Sequence, residues 1–135
     1  MFSETGAYLI QLAASSGVKV SPVPGASSLM AALSVLDFHL ERFIFAGFLP
    51  RDPEQRKRAL IHYRGQHMPV ILMDTPYRLG SLLDDVIKVF GKQQWVTVAY
   101  DMTLPTEFIF RGEAAAVRQQ IGPRKGEFIL IVGNM

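Results

Sequence analysis

Apolar residues recur along this chain in two rhythms, one helical and one extended. In TGAYLIQLAASS, Leu9, Leu12 and Ala13 fall at i, i+3 and i+4, so residues 5–16 are predicted to be helical, with Gly17 as the stop. Val18–Val23 reads as a short strand, and Pro22-Val23-Pro24-Gly25 as the turn into a helix over 26–36. Aromatics alternate in RFIFAGF, predicting a strand over 42–48. Asp52 is placed to cap the next helix and Pro53 to open it, and residues 53–64 carry Arg56, Lys57, Arg58 and Arg64 as a solvated basic face. Pro69–Asp74 is nearly continuous in apolar residues, the pattern of a strand buried on both faces.

The second half continues the alternation. LGSLLDDVIKVF, residues 79–90, is an amphipathic helix closed by Gly91. Trp95–Tyr100 and Thr106–Arg111 read as strands joined by a turn at Asp101–Pro105, followed by a helix over 113–121 and a last strand over Glu127–Val132. Strands alternating with helices predict an α/β fold. The sheet is expected to be mixed but largely parallel, with five to six strands flanked by helices; the 95–100/106–111 hairpin is its antiparallel part.

Composition narrows the classes. A length of 135 residues suits one domain, and a hydrophobic fraction of 49% is enough for a substantial core. Only 19% of residues are charged and the net charge is +2, which gives no strong electrostatic footprint for nucleic acid. There is no cysteine, so thiolate metal sites and disulfides are excluded, and the three histidines lack ligand spacing; no metal is expected. No apolar run approaches a membrane span, and MFSETG lacks the basic and apolar regions of a signal peptide, so a cytoplasmic protein is expected.

Polar residues gather in the turns that follow strands. These are Gly25, Ser27 and Ser28, then Pro50, Arg51 and Asp52, then Asp74, Thr75, Tyr77 and Arg78, then Asp101, Met102 and Thr103. If they share one sheet edge, they face one cleft, because open α/β sheets bind ligands beyond the carboxyl ends of their strands. Each also has a purely structural role open to it. Asp74 either caps the helix near Tyr77 or pairs with Arg78, and Asp101 and Thr103 are also ordinary hairpin-turn residues. No GxSxG elbow, HExxH pair, GxxxxGKS/T loop or GxGxxG run is present, so self-contained hydrolases, metalloproteases and nucleotidases are disfavoured.

Taken in order, several segments resemble the carboxyl-terminal half of the tetrapyrrole (corrin/porphyrin) methylase family. They are Pro22 to Ser28, Arg42-Phe43 through Gly47-Phe48-Leu49-Pro50-Arg51, Asp74-Thr75-Pro76-Tyr77-Arg78, Asp101-Met102-Thr103 with Glu107 and Arg111-Gly112, and Lys125-Gly126-Glu127-Phe128. Within the family they look most like the branch that methylates a cytidine ribose 2′-hydroxyl in small-subunit rRNA. That branch usually carries Glu-Ser-x-His-Arg and Arg-Glu-Leu-Thr-Lys where this chain has Asp74–Arg78 and Tyr100–Leu104.

The resemblance implies an S-adenosylmethionine-dependent methyltransferase whose cofactor lies between two α/β domains, of which this chain is the second and the amino-terminal methylase domain is absent. It implies cofactor contacts from Gly25, Ser27, Ser28, Asp74, Thr75, Asp101, Met102, Thr103, Gly126 and Glu127, substrate contacts from Arg51 and Arg78, and a base for the ribose hydroxyl proton, for which Asp74 and Asp101 are the candidates. A homodimer is expected, because family members look like dimers and helix 5–16 carries an apolar stripe. Two other functions stay open, a tetrapyrrole ring methylase and a non-catalytic interaction or dimerisation domain. An RNA substrate predicts a basic path through Arg51, Arg56, Lys57, Arg78 and Arg124, whereas a macrocycle predicts an apolar cleft.

Overall fold

The computed structural model describes residues 4–23 and 27–133. Gly25, and with it the tip of the predicted 22–25 turn, lies outside the described residues. The elements run α1 (Glu4–Ser15), α2 (Ser28–Ser34), β1 (Ile44–Phe48), α3 (Pro53–Gly65), β2 (Val70–Met73), a single 3-10 turn (Pro76–Arg78), α4 (Leu79–Phe90), β3 (Trp95–Tyr100), β4 (Phe108–Glu113), α5 (Ala114–Ile121) and β5 (Phe128–Val132).

Local chemistry sets many of these boundaries. The Asp52 carboxylate accepts the Gln55 N–H at 3.0 Å and Pro53 occupies the first turn, which starts α3 at the predicted residue. Gly91, at φ +100°, ends α4, a conformation that a side chain would strain. Ser27 caps α2 by accepting the Met30 N–H at 3.4 Å.

The five strands form one mixed sheet in the order β1-β2-β5-β3-β4. Only β1 and β2 pair in parallel; β2–β5, β5–β3 and β3–β4 are antiparallel. The α/β class and strand number are as expected, but a largely parallel sheet is not what forms. The helical crossovers β1-α3-β2, β2-α4-β3 and β4-α5-β5 do each connect strands that point the same way. The last strand, however, inserts between β2 and β3 and runs against both, so apart from β1 and β2 the strands that agree in direction are not neighbours. The strand expected over Val18–Val23 is also not formed; Val18, Val20 and Val23 are 58%, 47% and 94% exposed. A strand needs a ladder partner, and among the described residues none pairs with this segment.

Two apolar layers sandwich the sheet. On one face Val70, Leu72, Val96, Val98, Leu130 and Val132 pack with Leu60 of α3, Leu79, Leu82, Leu83 and Val86 of α4, and Val117 and Ile121 of α5. On the other, Ile71, Ala99, Ile129 and Ile131 meet Ala32 of α2, with Leu29, Leu33, Leu36, Phe38, Met102 and Ile109 partly buried around them. Both faces of β2 and β5 are thereby filled, as the continuous apolar run of β2 requires.

Candidate functional site

One edge of the sheet collects the polar turns. β1, β2 and β3 end there, and β5 and β4 begin there, because Tyr100 at the end of β3 pairs with both Phe128 and Phe108 at their starts. The expectation of a shared edge is therefore met, although β5 contributes its amino end. Leu49 to Arg51, Asp74 to Arg78, Asp101 to Thr103 and Gly126-Glu127 all lie along this edge. Ser28, at the start of α2, approaches it from the thinly covered face.

A cavity of about 90 Å³ opens at this edge, lined by Ser28, Met73, Ala99, Met102, Glu127, Phe128 and Ile129. Ligand pockets that enclose a small molecule span roughly 300–1,000 Å³, so this cavity alone is smaller than such a site. Three predicted residues, Ser28, Met102 and Glu127, line it. Ser27 stands beside it as the α2 cap. Met73, Ala99, Phe128 and Ile129 complete the lining; sequence reasoning gave none of them a site role, although each sits at or next to a strand end on this edge.

The turn between β3 and β4 has unusual backbone. Asp101 and Thr103 hold φ +48° and +71°, the left-handed region that non-glycine residues seldom enter. Side chains of the following segment support it. The Thr106 hydroxyl donates to Asp101 Oδ2 at 2.7 Å, and the Thr103 N–H donates to Glu107 Oε1 at 2.8 Å. The Asp101 N–H donates to the Glu127 carbonyl at 2.8 Å, fastening the turn to the start of β5. Gly126 completes the junction, since a Cβ there would meet Asp101 and the Tyr100 ring at under 3.0 Å. Met102 is thus presented to the cavity by a braced turn rather than a loose hairpin.

Asp74 is held differently. Its Oδ1 accepts the Thr75 N–H at 2.8 Å, while Oδ2 lies 3.3 Å from Arg78 Nε and 3.5 Å from Arg56 Nη1. It occupies the cap position neither of the 3-10 turn around Tyr77, which is Thr75, nor of α4, which is Arg78; the Arg78 pairing is the alternative that forms. Arg56 corrects a second expectation. It is 5% exposed rather than part of a solvated face, whereas Lys57 and Arg58 beside it are exposed as predicted. The signal was available in helical spacing: Arg56 stands three and four residues before Ala59 and Leu60, on the stripe that α3 turns to the core. Arg51, Thr75 and Thr103 are exposed at the edge, and Arg78 is half-buried.

Among the described residues, no three His, Cys, Asp or Glu side chains converge on a metal-sized site, and no helix is long and apolar enough to cross a membrane.

A profile of the Tetrapyrrole (Corrin/Porphyrin) Methylases matches residues 1–118. The Ribosomal RNA small subunit methyltransferase I of Xylella fastidiosa (strain Temecula1) is 35% identical over 136 aligned positions, covering 98% of this chain and 50% of that protein. The chain spans about half the length of the curated relatives it matches. Among solved structures, the methyltransferase CobJ superposes with a TM-score of 0.68 at 18% identity, covering 99% of this chain and 60% of that one. Uroporphyrin-III C-methyl transferase from Thermus thermophilus, complexed with S-adenyl homocysteine, gives 0.64 at 15% identity, covering 99% and 61%. At these identities the structural likeness is one of fold.

Proposed function

The chain belongs to the tetrapyrrole (corrin/porphyrin) methylase family, and on that premise we propose that it is the carboxyl-terminal half of an S-adenosylmethionine-dependent methyltransferase that methylates a cytidine 2′-hydroxyl in small-subunit rRNA. The observation that carries this reading is the agreement, along 98% of the chain, with a relative named for small-subunit rRNA methylation. The open cavity at the sheet edge supports it, because one wall of a cleft needs a second domain to close it. That amino-terminal methylase domain is the first partner we propose, and a second copy of the chain is the next. The exposed apolar residues of α1, Tyr8, Leu9, Ile10 and Leu12, suit such association. A cytoplasmic location follows from the rRNA substrate.

The lining fits the proposed cofactor. Met73, Met102, Ala99 and Phe128 supply an apolar surface for a flat adenosine, held in place by the hydrogen-bonded backbone of Asp101–Thr103 and Glu127. Gly25, Ser27, Ser28 and Thr75 would complete the contacts. When bound, S-adenosylmethionine supplies a sulfonium methyl that needs no metal. The protein must then align the 2′-hydroxyl with that methyl, a positioning task that contributes much of the rate in such reactions. It must also accept the hydroxyl proton. Asp74 and Asp101 are the candidate carboxylates, and Arg51 and Arg78 would meet the substrate. The second reading is a tetrapyrrole ring methylase, the activity for which the matching family is named.

The test uses the two-domain protein carrying this chain. Labelled S-adenosylmethionine should transfer methyl to deproteinised small-subunit rRNA and not to a uroporphyrinogen; the reverse preference establishes the second reading, and transfer to neither leaves a binding or dimerisation domain. Met102→Arg should abolish S-adenosylhomocysteine binding in calorimetry with the melting temperature unchanged, since a long unpaired charge cannot be buried against a flat ligand. Equal affinity would remove the turn from the site.

A further inference from the structure

The buried guanidinium of Arg56 has partners on three separate elements. Its Nε and Nη2 donate to Asp85 Oδ2 of α4 at 3.2 and 3.0 Å. Its Nη1 donates to the Pro50 carbonyl, in the loop after β1, at 3.3 Å, and lies 3.5 Å from Asp74 Oδ2, in the turn after β2. One side chain therefore sets the spacing of two adjacent turns at the sheet edge. The far side of this network is Arg78, whose buried Nε faces Asp74 Oδ2 at 3.3 Å without a well-aligned hydrogen bond. The rest of the Arg78 side chain is 38% exposed, and its two terminal amino groups form no hydrogen bond or ion pair with the described residues. An arginine whose inner nitrogen pairs with a carboxylate and whose outer fork is open to the described residues is arranged to receive a planar or tetrahedral anion through two donors.

We propose that Arg56 is a positioning residue for anion recognition: through Asp74 it orients Arg78 so that the Arg78 fork meets a backbone phosphate of single-stranded RNA at the sheet edge. The proposal rests on the rRNA reading given above. It assigns Asp74 the work of an anchor between two guanidiniums, and it makes Arg56 matter for binding without touching RNA. Lysine is no substitute at position 56, because an ammonium cannot reach Asp85, Pro50 and Asp74 in the fixed geometry of a guanidinium.

Two measurements on the chain as it stands decide this. In the first, the arginine Nε–Hε resonances are recorded on protein labelled with 15N-arginine, that of Arg78 being assigned from Arg78→Lys. Arg78 should give a motionally restricted signal that becomes freely averaged in Arg56→Gln and in Arg56→Lys, while Arg58→Gln leaves it unchanged. Asp85→Asn, which loosens Arg56 more gently, serves if Arg56→Gln fails to fold. In the second, a fluorescein-labelled single-stranded RNA dodecamer is titrated at low salt. Arg78→Gln and Arg56→Gln should each weaken binding about tenfold, and the double variant no further. The slope of log affinity against log salt should fall by about 0.7, the value for one phosphate contact on a single strand. An Arg78 signal indifferent to Arg56, or additive losses in affinity, overturns the proposal and leaves the rRNA reading intact. A wild-type chain that shows the Arg78 ordering but binds no RNA also overturns the proposal, while the rRNA reading stands or falls separately with methyl transfer by the two-domain protein.

Discussion

Beneath α3, α4 and α5 the sheet presents Val70, Leu72, Val96, Val98, Leu130 and Val132, none more than 1% exposed. On its other face Ile71, Ala99, Ile129 and Ile131 are at most 3% exposed, yet the helix packed on them is the seven-residue α2. α1, the next helix toward the amino terminus, buries only Gly6 and part of Ala13 among its described side chains. The two faces have the same aliphatic chemistry but different cover. Strands buried on both sides demand apolar residues on both, whereas the helices supplied by this chain finish only one. The candidate site lies where the thinly covered face meets the polar turns, which is where the amino-terminal domain we propose would close it.

The largest expected effect sharpens that contrast. Leu83→Ala, in the middle of the three-helix layer, should cost about 2–5 kcal/mol in urea unfolding, while Leu33→Ala on partly buried α2 should cost clearly less. Equal losses would mean the two layers are equally tight. Gly126→Ala is expected to be intermediate, about 1–3 kcal/mol, because its Cβ enters the space of Tyr100 and Asp101; a thermal melt indistinguishable from wild type would show that the turn yields freely. The smallest effect belongs to α1. Leu9→Ser should change the unfolding free energy by no more than about 0.5 kcal/mol, yet reduce self-association in sedimentation velocity at micromolar protein. A large loss of stability with no change in association would place Leu9 in the core of the monomer instead.

Much of the candidate site was legible because its residues sit in turns. Turn chemistry is local, so Ser27, Asp52, Asp74 and the Asp101–Thr103 segment stood out by residue type and by their position after apolar runs. What escaped was chemistry that depends on distant neighbours. Thr106 and Glu107 brace the turn from four or five positions along, and Arg56 finds Asp85 29 residues away. A basic run in a helix looks solvated until an acidic partner is known to lie over it.

The sequence by itself determined where the elements lie. α4 over 79–90 and β3 over 95–100 form at the predicted residues, α3 starts behind Asp52, and β2 and β5 carry the apolar runs of fully buried strands. These follow from periodicity, caps and breakers, which act within a few residues. Only the tertiary structure decided that β5 enters between β2 and β3, which adds two antiparallel pairings to the one the hairpin predicted. It alone left Val18–Val23 without a ladder and drew Arg56 inward. The physical reason is the same in each case: a strand's direction is set by the crossover that delivers it, but its neighbours, and the partners of a buried charge, are chosen by the packing of segments far apart in the chain.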